Sequence, residues 1–195
     1  MTAKKKKIGV LALQGAFREH VKMLNEVGAE GIEVRLPAQL EGLDGLIIPG
    51  GESTTIGKLM VTYKLQEPLR EQIKAGLPTW GTCAGMILLA NDIGGLDQPL
   101  LGVLDVKVKR NGFGRQLDSF ESALKIPVLG AEPFPAVFIR APYIEQIGPA
   151  VEILGKLADE RGTVIACQQG KILATSFHPE LGADTRFHRY FLSLT

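Results

Sequence analysis

The stretch Leu77-Pro78-Thr79-Trp80-Gly81-Thr82-Cys83-Ala84-Gly85-Met86-Ile87-Leu88-Leu89-Ala90 decides how this chain reads. Its first four residues read as a short strand, and Met86 to Ala90 read as the opening turns of an apolar helix. Cys83 falls at the junction. Glycine on either side permits a tight turn that bulkier residues would block. A helix starting there points free N–H groups and its positive dipole end at the sulfur, an arrangement that favours a thiolate. The pentapeptide 81–85 alone fits a nucleophile elbow and a small buried hydrophobe equally well.

Working outward, residues 7–13 form a continuous apolar run suited to a strand buried on both faces. Gln14-Gly15-Ala16 turns the chain. A helix is expected over 17–27, with Phe17, Val21 and Leu24 at helical spacing and Gly28 as its stop. Ile32-Glu33-Val34 and Leu46-Ile47-Ile48 read as strands. Helices follow from about Thr54 and over 68–75, where Pro68 suits a first helical turn. Strand alternating with helix in this rhythm means an α/β chain with a parallel sheet. Beyond Ala90 the pattern turns strand-rich, with candidates at 103–108, 119–126, 136–139, 152–157, 163–169 and 171–175. These are expected to be partly antiparallel and attached to the same sheet, with a closing helix over 185–194.

The totals agree with one globular domain spanning 1–195. Hydrophobic residues make up 45%, charged residues 22%, and the net charge of +1 gives no reason to expect nucleic acid or an acidic partner. The basic run Lys4 to Lys7 reads as a solvated tail. No apolar run reaches membrane-span length, and no signal-peptide core opens the chain. Two cysteines do not make a disulfide framework, so a reducing, cytoplasmic setting is expected. Cys167, in an apolar strand-like run, reads as inert core.

Three further constellations carry chemistry. Pro49-Gly50-Gly51-Glu52-Ser53-Thr54-Thr55 follows a strand and opens a helix, on the sheet edge where Cys83 also lies. Its glycines suit close backbone approach to a substrate, although a plain turn with a Ser/Thr helix cap is the alternative. It is not a phosphate loop, because Leu59 follows Lys58 where Ser or Thr is required. In Ser176-Phe177-His178-Pro179-Glu180, His178 and Glu180 are two apart and can face one side of extended backbone. A cysteine nucleophile needs such a base and such an orienting group. His20 and His188 lie on charge-rich helices, where a solvated face is the expected reading. Arg110-Asn111-Gly112-Phe113-Gly114-Arg115-Gln116 and Phe138-Ile139-Arg140-Ala141-Pro142 place arginines in post-strand turns. Arg110 and Arg140 there suit bidentate capture of a carboxylate, or are surface residues.

Together, the Gly-Thr-Cys-Ala-Gly elbow, the Pro-Gly-Gly-Glu-Ser-Thr loop and the His-Pro-Glu segment resemble the class I (triad) glutamine amidotransferases. The 13–20 segment, the 110–121 segment and the 138–142 segment narrow the resemblance to the glutaminase subunits of pyridoxal 5′-phosphate synthases, over nearly the whole chain. The resemblance implies a flavodoxin-like three-layer α/β domain with a mostly parallel, partly mixed central sheet. It implies hydrolysis of L-glutamine to glutamate and ammonia by Cys83, His178 and Glu180 through a glutamyl thioester. It implies glutamine binding by Gly50, Gly51, Glu52, Arg110, Ile139 and Arg140, an oxyanion hole at Gly51 and Ala84, and no metal or cofactor. The implied partner is a (β/α)8-barrel synthase subunit with a dodecameric core, with neither nucleic acid nor membrane involved. The alternatives are the glutaminase of another amidotransferase, such as imidazole glycerol phosphate synthase, and a non-catalytic scaffold on the same fold. The 110 and 140 segments argue against the first, and the intact triad argues against the second.

Overall fold

The computed structural model describes residues 4–110 and 119–195. The first half alternates as its hydrophobic pattern dictates: β1 (Lys7–Leu11), α1 (Phe17–Glu26), β2 (Glu30–Val34), β3 (Gly45–Ile48), α2 (Ser53–Thr62), α3 (Gln66–Lys74), β4 (Thr79–Thr82) and α4 (Ala84–Leu89). The second half supplies β5 (Ala90–Asp92), β6 (Leu104–Lys109), β7 (Ser119–Leu124), β8 (Phe134–Ile139), β9 (Tyr143–Ile147), β10 (Glu152–Lys156), β11 (Val164–Gln169), β12 (Ile172–Thr175) and α5 (Arg186–Leu194). The main sheet runs β2-β1-β3-β4-β12-β11-β9-β6-β5, with β10 paired to β11. Strands β2 to β12 in that order are mutually parallel. β11 is antiparallel to β12, β9 and β10, and β6 is antiparallel to β9. This is the flavodoxin-like order, with its switch point between β1 and β3.

Side-chain alternation along the buried strands builds two cores. Leu46 and Ile48 face one of them, together with Met60 of α2, Leu69 of α3 and Leu88 of α4. Ile8, Val10 and Ile47 face the other, together with Leu24 of α1 and Phe187 and Phe191 of α5. Helices therefore cover both faces of the sheet, which makes three layers. Trp80 of β4 is fully buried in the second core and stacks on Phe187 at 5.9 Å.

Two expectations need correction, and one strand went unforeseen. β7 and β8 do not join the main sheet; they form a separate antiparallel ribbon. Its inner face is aromatic, and Phe134 and Phe138 pack on Phe177 at 5.8 and 5.5 Å, which fastens the ribbon beside β12. β9 was not anticipated, since Ile144 is its only buried residue and its pairing to β6 is set by long-range register. His20 and His188 are not solvated: both are 0% exposed, in edge-on contact with Trp80.

The buried histidines have a consequence for stability. Burial, and then the charges of His188 and His178, hold His20 well below its usual 6.5, while burial lowers His188 to about 4. In the unfolded chain both titrate near 6.5, so below that pH the unfolded state binds more protons than the folded one. Stability must fall as the pH drops, by up to about 1.4 kcal/mol per pH unit for each histidine. Urea unfolding midpoints measured from about pH 6.5 to about pH 4.5 should fall, and His188→Phe should show the shallower slope. Identical slopes would contradict neutral burial of His188.

Candidate active site

The parallel strands β1, β3, β4 and β12 end on one edge, and the candidate residues gather there. Cys83 follows β4 directly and caps α4 with φ 49° and ψ −104°. This is left-handed space for a non-glycine residue, a conformation that costs on the order of 1–3 kcal/mol and is held only by its surroundings. Its N–H donates to the Thr175 carbonyl of β12 at 2.8 Å. The flanking glycine is required by packing: a Cβ on Gly85 would lie 1.9 Å from the Ile48 carbonyl oxygen. Cys83 is 7% exposed, and its Sγ faces the Ile139 carbonyl at 4.0 Å. Ala84 is the first residue of α4, so no carbonyl of that helix meets its N–H.

His178 and Glu180 approach from the end of β12. Pro179–Leu181 form one turn of 3-10 helix, not the extended backbone expected, with His178 as its N-cap. The two side chains still meet: the His178 Nδ1–H donates to Glu180 Oε1 at 2.7 Å. The His178 N–H donates to the Val137 carbonyl of the ribbon at 2.9 Å, so β8 fixes where the imidazole sits. Burial by itself would lower the proton affinity of His178. Its contact with the Cys83 sulfur and its bond to Glu180 outweigh burial and raise it to about 10. Below that pH the imidazolium form stands between two acidic groups. Cys167 is the opposite case, since burial pushes its thiol up to about 12 in the core, as expected for an inert residue.

Gly50 lies against this pair. A Cβ there would come within 2.3 Å of His178 Cε1 and 3.3 Å of Cys83 Cβ. The Gly50 N–H donates to Thr82 Oγ1 at 3.0 Å, and its carbonyl accepts from the Ala16 N–H at 3.0 Å. Gly50→Ala should therefore displace the imidazole and lower turnover at this site by about a hundredfold, with the circular dichroism spectrum unchanged. A wild-type rate of turnover would contradict this geometry.

A cleft of about 360 Å³ opens over Cys83 and His178, lined also by Gln14, Gly51, Glu52, Arg110, Ile139 and Arg140. Glu52, not a Ser or Thr, caps α2: its carboxylate accepts the N–H of Thr54 at 3.1 Å and of Thr55 at 2.7 Å. Partial burial opposes its ionisation, but the bonds from Thr55 and Thr54 prevail and bring it to about 2. Arg110 reaches across to Glu52 Oε1 at 3.2 Å and to Gln98 Oε1 at 3.0 Å. Arg140, at φ 42°, follows β8 on the opposite wall and is exposed. The structure thus gathers the sequence candidates at one place, apart from the motif residues 111–118, which lie outside the described residues. A larger groove of about 530 Å³ lies between Tyr143–Glu145 and the turn at 159–164, and its lining holds neither a cysteine nor a histidine.

Two further residues neighbour the site: Gln14, in the turn that ends β1 on this edge, and His20, which the sequence reads as solvated. Gln14 Oε1 accepts the Glu52 N–H at 2.7 Å. His20 Nε2 lies 3.4 Å from Glu180 Oε2, so His178 is not the only histidine beside that carboxylate. A signal for His20 existed, because it precedes Met23 and Leu24, both buried, by three and four residues on α1.

Such a cysteine elbow, with an imidazole and a carboxylate behind it and a glycine loop in front, is equipped for acyl transfer from an amide. The model of the SNO glutamine amidotransferase family matches residues 10–195, and the chain belongs to that family. It is 60% identical over 188 residues to the protein named "Pyridoxal 5′-phosphate synthase subunit PdxT" of Moorella thermoacetica, covering 96% of this chain and 98% of that one. It is 59% identical over 186 residues to the protein of the same name from Pelotomaculum thermopropionicum, covering 95% and 93%. A solved structure titled "Crystal structure of glutamine amidotransferase" superposes with a TM-score of 0.90 at 51% identity, covering 96% of this chain and 97% of that one.

Proposed function

We propose that this glutamine amidotransferase is the glutaminase of a pyridoxal 5′-phosphate synthase, hydrolysing L-glutamine and passing ammonia to a synthase subunit. The observation that carries the reading is the buried alignment of Cys83, His178 and Glu180 under one cleft, in a chain 60% identical to a protein named for that synthase.

The chemistry follows from the groups. Cys83 thiolate attacks the carboxamide carbon of glutamine. The oxyanion sits at the N–H groups of Ala84 and Gly51. The His178 imidazolium protonates the departing nitrogen, and ammonia leaves a glutamyl thioester. Acylation removes the negative charge beside His178. Having given up its Nε2 proton, His178 is a neutral imidazole whose Nδ1–H stays on Glu180, and its bare Nε2 serves as base for the water that releases glutamate. Glu180 orients the ring throughout. Arg110 and Arg140 take the α-carboxylate, and Glu52 faces the ammonium; Gly50 and Ile139 shape the pocket. For Arg110 to bind substrate it must exchange Glu52 or Gln98 for the new carboxylate.

Free ammonia at neutral pH is mostly protonated and not nucleophilic, which is reason enough to release it inside a complex. The partner we propose is a (β/α)8-barrel synthase assembled as a dodecameric core, in the cytoplasm, with the chain docking as one domain. Among the described residues no helix is long and apolar enough to cross a membrane. The test is glutamate release at saturating glutamine with and without the synthase subunit. We expect the free chain to be the poorer glutaminase, because backbone at a glycine pair can turn and a docked partner would fix the orientation of its N–H groups. Equal turnover would refute coupling, and no turnover in either case would refute the activity.

A further inference from the structure

Behind the proposed triad lies a buried chain of imidazoles that the mechanism does not use. Glu180 Oε1 is taken by His178, but its other oxygen, Oε2, is buried without a full hydrogen bond among the described residues. The group that faces it is His20 Nε2, at 3.4 Å. That same nitrogen lies 3.2 Å from Thr82 Oγ1, which accepts the Gly50 N–H. On the far side, His20 Nδ1 meets His188 Nε2 at 3.0 Å, and His188 Nδ1 is buried with no partner among the described residues. Both rings are wedged against Trp80, and the charged or titratable groups facing His20 are Glu180, His178 and His188. This group of side chains is not arranged to hold a metal ion.

These contacts determine the tautomers. A proton on His188 Nδ1 would put the single proton of neutral His20 on Nδ1 and turn a bare Nε2 toward the Glu180 carboxylate, which can only accept; the His188 proton therefore belongs on Nε2, where it is donated to His20 Nδ1. His20 Nδ1 is then an acceptor, and its own proton must sit on Nε2, aimed at Thr82 and Glu180. The chemistry is that of an oriented imidazole whose free nitrogen is set by the bond its other nitrogen makes.

We propose that His20 and His188 are positioning residues: His188 fixes the proton of His20 on Nε2, and His20 uses it to hold Glu180 and Thr82 together. One N–H thereby ties the carboxylate that orients His178 to the hydroxyl that anchors Gly50, so the base and the oxyanion loop are set by a single contact. α1 and α5, from opposite ends of the chain, supply the two rings. This inference rests on the triad reading given above.

The test is steady-state glutamate release in the complex with the synthase subunit, combined with ¹⁵N spectra of the imidazoles. His20→Leu should lower kcat about tenfold with KM changed less than about twofold, as expected when an orienting group is lost and substrate contacts are kept. His20→Gln, which returns an N–H donor near the Nε2 position, should recover most of that loss. At neutral pH both His20 and His188 should be protonated at Nε2 and bare at Nδ1, and His188→Phe should leave His20 as a mixture of tautomers. Wild-type kcat in folded His20→Leu, failure of His20→Gln to recover, or an Nδ1-protonated His188 would each overturn the proposal. Should His20→Leu not fold, the glutamine variant and the spectra decide the matter. Cys83→Ala is the control for the underlying reading: its full activity would refute the triad itself, whatever the histidine variants do.

Discussion

Replacing Cys83 with alanine is expected to abolish glutaminase activity, by on the order of ten-thousandfold or more, and to leave the fold intact. The expectation rests on place. Cys83 is the cysteine held at φ 49° between β4 and α4, with its sulfur at the floor of the cleft and an imidazolium beside it. Removing one sulfur at 7% exposure deletes few packing contacts, and alanine relieves none of the backbone strain, so thermal stability should change little. Cys167→Ala is the matched control. That residue is 0% exposed in β11, so its loss should cost about 1 kcal/mol of packing while turnover persists. Turnover lost in the second variant and kept in the first would reverse the assignment.

The second large effect separates ammonia supply from synthesis. His178→Asn should reduce glutamine-dependent formation of pyridoxal 5′-phosphate by on the order of ten-thousandfold, because in the proposed mechanism the acid for one half-reaction and the base for the other are the same ring. The same complex should make product at the wild-type rate from ammonium salt, at a pH that leaves some free ammonia. His178 is 8% exposed beneath the cleft and its backbone is held by Val137, so docking should survive the change. Product absorbance under the two nitrogen sources is the measurement. Failure with both, in a complex shown to assemble, would mean that this chain does more than donate ammonia.

The parts of the fold that were legible in the sequence are those set by local rules. The alternation of apolar runs and helical spacing through Ala90 anticipates β1 to α4, and the glycines around Cys83 anticipate the elbow, because both depend on neighbours in the chain. What eluded it depends on distant partners. The ribbon β7–β8 has the same alternating pattern as a sheet strand, and only the packing of Phe138 on Phe177 and Phe134 on Phe187 decides that it stands apart. β9 has too little apolar surface to announce itself. In the candidate site, the motif residues stood out because the proposed amide chemistry demands their types. Gln98 was not, since its contacts with Ser53, Thr54 and Arg110 exist only once a loop folds over α2. His20 and His188 were misread because charged neighbours on the same helices outweighed their spacing to buried Leu24 and Phe191.

The claim at the centre of this account is that glutamine is cleaved by covalent transfer to one sulfur. The direct measurement is mass spectrometry of the complex, acid-quenched during turnover with glutamine and digested. The account predicts a glutamyl adduct on the peptide carrying Cys83, absent without glutamine and absent in Cys83→Ala. An adduct on Cys167, or undiminished glutamate release from a complex that never acylates Cys83, would contradict it.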